Sequence, residues 1–124
     1  MFVVNETEAR TTKTAAATMF GLAGPSQGRP EVSTWRVQME ADHESPVHIV
    51  THEQVWMPLS GTLEFTVEGN TEKVSAGQAV IVPGGIVRQF RTGQEPAQAL
   101  VSMTVGGKAQ VPGNDAVLPI PWSE

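Results

Sequence analysis

Residues His48–Gly61 read HIVTHEQVWMPLSG. Two imidazoles, a carboxylate and an amide fall within seven residues, ahead of an apolar run and a glycine turn. With Val47 in front, the stretch to Leu59 reads as one long extended run, and Ser60–Gly61 turns it. Side chains alternate faces along a strand. On a regular strand His48, Val50, His52, Gln54 and Trp56 therefore share the inward face, and Glu53 points to solvent. A bulge between residues 48 and 54 would reverse that parity.

The flanking sequence has the same character. TLEFTVEG (Thr62–Gly69) alternates strictly, with Leu63, Phe65 and Val67 on one face, and Gly69–Asn70 is a hairpin signal. TEKVSAG, QAVIVPGG and IVRQFRT follow, and AQALVSMTV (Ala97–Val105) is the last clear strand. Upstream, VSTWRVQME (Val32–Glu40) alternates as a strand and DHESP turns, which places His43 on a surface loop. Gly21–Glu31, rich in Gly, Pro and Ser, is the loosest stretch. Lys13–Phe20 is ambiguous: its alanines favour a helix, its threonines and length an edge strand. About eight strands and no clear helix predict an all-β jelly-roll or closed antiparallel barrel. The expected organisation is one domain: N-terminal strands and loop over 1–31, the barrel over 32–105, and a Pro-rich C-terminal arm over 106–124. Val117, Leu118, Ile120 and Trp122 make that arm apolar, so it packs on the barrel or on a neighbouring subunit, with Trp122 as its anchor.

Composition narrows the function. A chain of 124 residues can bury a core without staples. The absence of cysteine excludes disulfides, thiolate metal sites and thiol catalysis, and fits a reducing, cytoplasmic setting. A net charge of −5 argues against nucleic acid or an anionic membrane as partner. MFVVNETEAR lacks the basic and apolar regions of a secretory signal, and no apolar run approaches the roughly 20 residues of a membrane span.

HIVTHEQVWMPLSGTLEF followed by AGQAVIVPGGIVRQF resembles the paired motifs of the cupin superfamily, small double-stranded β-helix barrels. The first motif runs His-x-His, three or four residues, an acid, six or seven residues and Gly. The second runs Gly, five residues, Pro-x-Gly, two residues and His. Gly61 ends the first here, and Gly77, Pro83 and Gly85 fit the second. The likeness spans about Val32–Val105. It implies the barrel fold, but this superfamily hosts many chemistries, among them oxygenases, isomerases, epimerases and lyases.

Carried over position by position, the resemblance implies ligands at 48, 50, 54 and 88. His48 matches. Gln54 matches in part, since some metal-binding cupins use Gln there. Val50 and Arg88 depart from the pattern. Valine has no donor, and a guanidinium cannot ligate. At ~4 Å in water each unit of like charge costs about 1 kcal/mol, and more in a dry barrel. His52 either completes a His48–His52–Gln54 set for a divalent transition metal or stays a solvated rim residue.

The preferred expectation is a cupin with no tightly bound metal or other cofactor, holding an oxygenated or anionic small metabolite. His48 and Arg88 are the candidate catalytic pair: His48 as acid or base, Arg88 as the fixed cation. Gln54, His52, Trp56, Val50 and Phe65 are the candidate substrate-binding set, with Gln54 orienting the ligand. Proton-transfer chemistry of the isomerisation or dehydration type fits those groups. The chain has no tyrosine, which removes the His–Tyr pairing of some epimerases in this superfamily. Alternatives are a metal-dependent dioxygenase or lyase, and a non-catalytic sensor module. The apolar arm and the family habit lead us to expect a homodimer.

Overall fold

A computed structural model describes residues Met1–Glu124. Twelve strands run in chain order: β1 (Thr11–Lys13), β2 (Thr18–Gly21), β3 (Val32–Met39), β4 (His48–Val50), β5 (Gln54–Ser60), β6 (Thr62–Val67), β7 (Asn70–Ser75), β8 (Val80–Val82), β9 (Val87–Thr92), β10 (Ala97–Thr104), β11 (Lys108–Gln110) and β12 (Leu118–Pro119). They form two antiparallel six-stranded sheets, ordered β1-β2-β3-β10-β5-β8 and β12-β11-β4-β9-β6-β7. The sheets enclose one apolar core, as the jelly-roll expectation requires. Helical structure is confined to single turns at Glu8–Arg10 and Pro121–Ser123.

Alternation builds the core. On β3, Ser33, Trp35, Val37 and Met39 point inward. Across the ladder β10 presents Ala99 opposite Val37, Val101 opposite Trp35 and Ala97 opposite Met39. Small residues face large ones across the ladder, so the two strands pack closely side by side. Leu63, Phe65 and Val74 close the opposing sheet. The ambiguous Lys13–Phe20 stretch is strand, an edge hairpin pairing Thr11–Lys13 with Thr18–Phe20.

Several expectations need correction. Val47–Leu59 is not one strand. β4 belongs to the second sheet and β5 to the first, and the chain crosses between them at Thr51–Glu53. The crossover is fixed from both sides. Gly85 donates its N–H to the Val50 carbonyl at 2.8 Å, and Thr51 donates to the Lys108 carbonyl at 2.9 Å. Gly84 must be glycine there, because a Cβ would stand 2.5 Å from the Thr51 carbonyl oxygen. The turn expected at Gly69–Asn70 sits one residue earlier. Glu68 and Gly69 both have positive φ, 49° and 80°, and Val67 pairs with Asn70, which is the geometry of a two-residue primed turn. The Pro-rich arm supplies two strands beyond the expected count: β11 pairs with β4 and β12 with β11. Its end packs on its own barrel, where Ile120 joins the core and Ser33 Oγ donates to the Ser123 carbonyl at 2.6 Å.

Candidate functional site

Between the sheets lies a cavity of about 270 Å³, near the lower end of small-molecule sites. β4 and β5 reach it from opposite sides, so His48, Val50, Gln54 and Trp56 all line it despite the crossover. Trp35 and Val37 come from β3 and Phe90 from β9. The edge hairpin adds Ala17 and Met19, and the C-terminal arm adds Gln110, Ile120 and Trp122 among others. All three tryptophans of the chain meet here.

His48 is the only titratable side chain on this lining. Its Nδ1 lies 2.7 Å from the Pro46 carbonyl oxygen. A carbonyl only accepts, so Nδ1 carries the hydrogen and Nε2 presents a lone pair. Burial lowers the His48 pKa below the ordinary imidazole value; the Pro46 hydrogen bond opposes this and the nearby Arg88 charge adds to it. The side chain is therefore a neutral base with one tautomer fixed. Its ring stands nearly perpendicular to that of Phe90, at 79° and a centroid distance of 6.1 Å.

Arg88 is the cross-strand partner of His48, but its guanidinium does not line the cavity. It is only 3% exposed. Its Nε donates to the Ile86 carbonyl at 3.1 Å, one terminal nitrogen donates to the Pro83 carbonyl, and the other donates to Gln54 Oε1 at 3.4 Å. Burial pushes its pKa down to about 10, which leaves it charged at neutral pH. Arg88 ties down the loop Pro83–Ile86. The Gln54 oxygen also accepts from Trp56 Nε1 at 3.2 Å, which leaves its amide group only a weak contact, 3.8 Å, to the Met103 sulfur.

The remaining candidates lie apart. His52 sits in the crossover outside the cavity; its Nδ1 is 2.9 Å from Thr51 Oγ1 and its Nε2 is turned towards Gly106. Phe65 stands behind the wall, with its ring 5.3 Å from Trp56 and 5.9 Å from Phe90. Most of the other lining residues escaped the sequence reading, and two of them are instructive. Phe90 shares the parity of Arg88 on β9 and was open to the same argument. Gln110 lies in the Pro-rich arm, where no periodicity marked it.

The cupin-domain sequence pattern matches residues 35–103. The chain belongs to the cupin family. Solved structures of similar fold include a cupin 2 domain-containing protein from Halorhodospira halophila, with TM-score 0.73, 20% identity, and coverage of 92% of this chain and 84% of that one. The polyketide cyclase RemF from Streptomyces resistomycificus gives TM-score 0.70 and 22% identity over 84% and 79% of the two chains. A sugar phosphate isomerase of the cupin superfamily from Silicibacter pomeroyi gives 0.66 and 19% over 82% and 69%. Comparison with curated proteins finds no match.

Many cupins hold a metal at the four motif positions, and the residues of this cupin do not suit one. Val50 has no donor atom. Gln54 Oε1 already accepts two hydrogen bonds. A charged guanidinium stands directly behind it and would repel a cation. The substitute set His48–His52–Gln54 required a regular strand from 48 to 54, and the crossover removes that premise by turning His52 away from the cavity.

Proposed function

We propose that this cupin binds a small molecule in its barrel cavity without a tightly held metal, and that His48 moves a proton on the bound molecule. The observation that carries this reading is the neutral imidazole at the cavity wall, locked through Nδ1 and free at Nε2. Nε2 would take a proton from a carbon or hydroxyl of the ligand. The imidazolium so formed is disfavoured by burial and by Arg88, so it returns the proton to a second ligand atom. The net change is an isomerisation, or a dehydration if the second atom leaves as water. The sequence resemblance and the RemF and isomerase likenesses are compatible with this class of chemistry; at such low identity they support the fold alone.

Two measurements test it. Metal analysis of protein purified without chelators should find substoichiometric transition metal; one ion per chain would sink the metal-free reading. With the enolisable ketone 2-tetralone in D2O, wild-type protein should speed deuterium uptake, and His48→Gln should lower that rate by about 10²-fold or more. Equal rates for the two proteins would remove His48 as the base.

A second reading, a non-catalytic binding module, draws on the presence of only one titratable group at the cavity. It predicts saturable binding of 2-tetralone with no exchange above the buffer rate. We also propose that two copies pair. Met57, Leu59 and Ile81 project from the outer face of the first sheet, and Ile81 is 63% exposed. Light scattering at micromolar concentration should give twice the chain mass; a monomer mass refutes pairing.

A further inference from the structure

The lining of the cavity also bears on the chemistry of what enters it. None of its twenty residues is Asp, Glu, Lys or Arg. The nearest cation, Arg88, is held on main-chain carbonyls and on Gln54 rather than aimed inward. An ionic ligand would leave water with no opposite charge to meet it, and burying an unpaired charge is costly.

The walls are aromatic. Trp35, Trp56, Phe90 and Trp122 line the space, with Trp56 and Phe90 tilted against each other at 4.6 Å. Such faces favour flat rings. The entrance repeats the message in water: Val47, Val111 and Leu118 line the cavity while 48%, 53% and 52% exposed. Exposed apolar residues clustered at an opening mark a place where apolar surface is received.

Few polar groups have capacity to spare. Thr14 Oγ1 is engaged by the backbone at Ala16 and Ala17. Ser45 Oγ is held between the Pro46 carbonyl and the Phe90 N–H. That leaves His48 Nε2, which accepts, the Gln110 amide, which has no partner within the protein and can donate or accept, and three further donors: the indole N–H groups of Trp35 and Trp122 and the Gln54 amide nitrogen.

We infer that the cavity takes a neutral, ring-containing molecule with one or two hydroxyl or carbonyl oxygens, of the size of a hydroxylated two-ring aromatic. This rests on the small-molecule reading above and narrows its ligand, setting aside the anionic metabolites that the sequence left open. A hydroxyl donates to His48 Nε2, a second oxygen meets Gln110, and the rings lie among the aromatic walls. Half of the lining comes from outside the matched segment 35–103: four residues of the edge hairpin and six of the arm. Ligand choice is thus shared between the flanks and the motif-bearing barrel.

Calorimetry with three probes at pH 7 tests this. 2-Naphthol, neutral at that pH, should bind. 2-Naphthoate, with the same rings and a carboxylate, should bind at least about tenfold more weakly. Glucose 6-phosphate should not bind measurably. Ala17→Phe, which fills the cavity from the edge hairpin, should abolish naphthol binding. Val111→Asp, at the exposed rim where folding is not at stake, should weaken it several-fold. Naphthoate or glucose 6-phosphate binding as tightly as naphthol overturns the ligand class and leaves the small-molecule site standing. Failure of all three probes to bind overturns both. Naphthol binding unchanged in Ala17→Phe and Val111→Asp places the site elsewhere and overturns the assignment.

Discussion

His48 and Arg88 show what a single position can and cannot reveal. That 48 and 88 meet was legible, because the two motifs place them on neighbouring strands, and the ladder pairs them. What Arg88 does there was not. Its partners at Pro83 and Ile86 are backbone carbonyls, which leave no mark in a sequence. Replacing it with Met leaves those carbonyls buried and unpaired, so Arg88→Met should lose about 2–4 kcal/mol of stability in urea denaturation. His48 makes a prediction about pH. Its folded pKa lies below the free value of 6.5, so the unfolded chain binds the proton more readily. This contribution is intact above about pH 6.5 and is lost as pH falls from there to the folded pKa, below which it falls no further. The urea midpoint should therefore drop between about pH 7.5 and pH 5 more in wild type than in His48→Gln. Equal drops would deny His48 its part.

At the scale of the element, the decisive feature is the crossover at Thr51–Glu53. Alternation carried the reading straight through it, because β4 and β5 face the same interior from opposite sheets and the inward parity survives the change. Only the side chains within the bend lose their direction, and His52 is one of them. The glycines that fix such bends were visible as motif positions, but their contacts were not. Gly61 has φ +70°, and a Cβ there would stand 2.2 Å from the Pro96 carbonyl oxygen. Gly61→Ala combines left-handed backbone cost with a backbone clash and should destabilise by about 3 kcal/mol or more, read by thermal or urea unfolding. A loss under about 1 kcal/mol would mean that the β5–β6 corner relaxes freely.

For the whole molecule, the barrel was legible because strict period-two alternation and turn residues recur along it, and the apolar end of the arm signalled packing, whereas the arm's strands were not legible. The arm carries Pro, Gly and short apolar pairs with no period, yet it forms two strands, reaches the core with Ile120 and closes one side of the cavity. Its removal should therefore be felt throughout the fold. Ile120→Ala deletes a side chain that is only 4% exposed and should lower global stability by about 2–4 kcal/mol in one cooperative transition. A separate early transition, with the barrel unaffected, would show the arm to be an independent unit.

The convergence of every tryptophan on one internal space has a practical corollary. The near-ultraviolet emission of this protein samples a single location, with no background from indoles elsewhere. Occupancy of the barrel can then be followed through its native spectrum, unlabelled, and a library of compounds screened by quenching or blue shift alone.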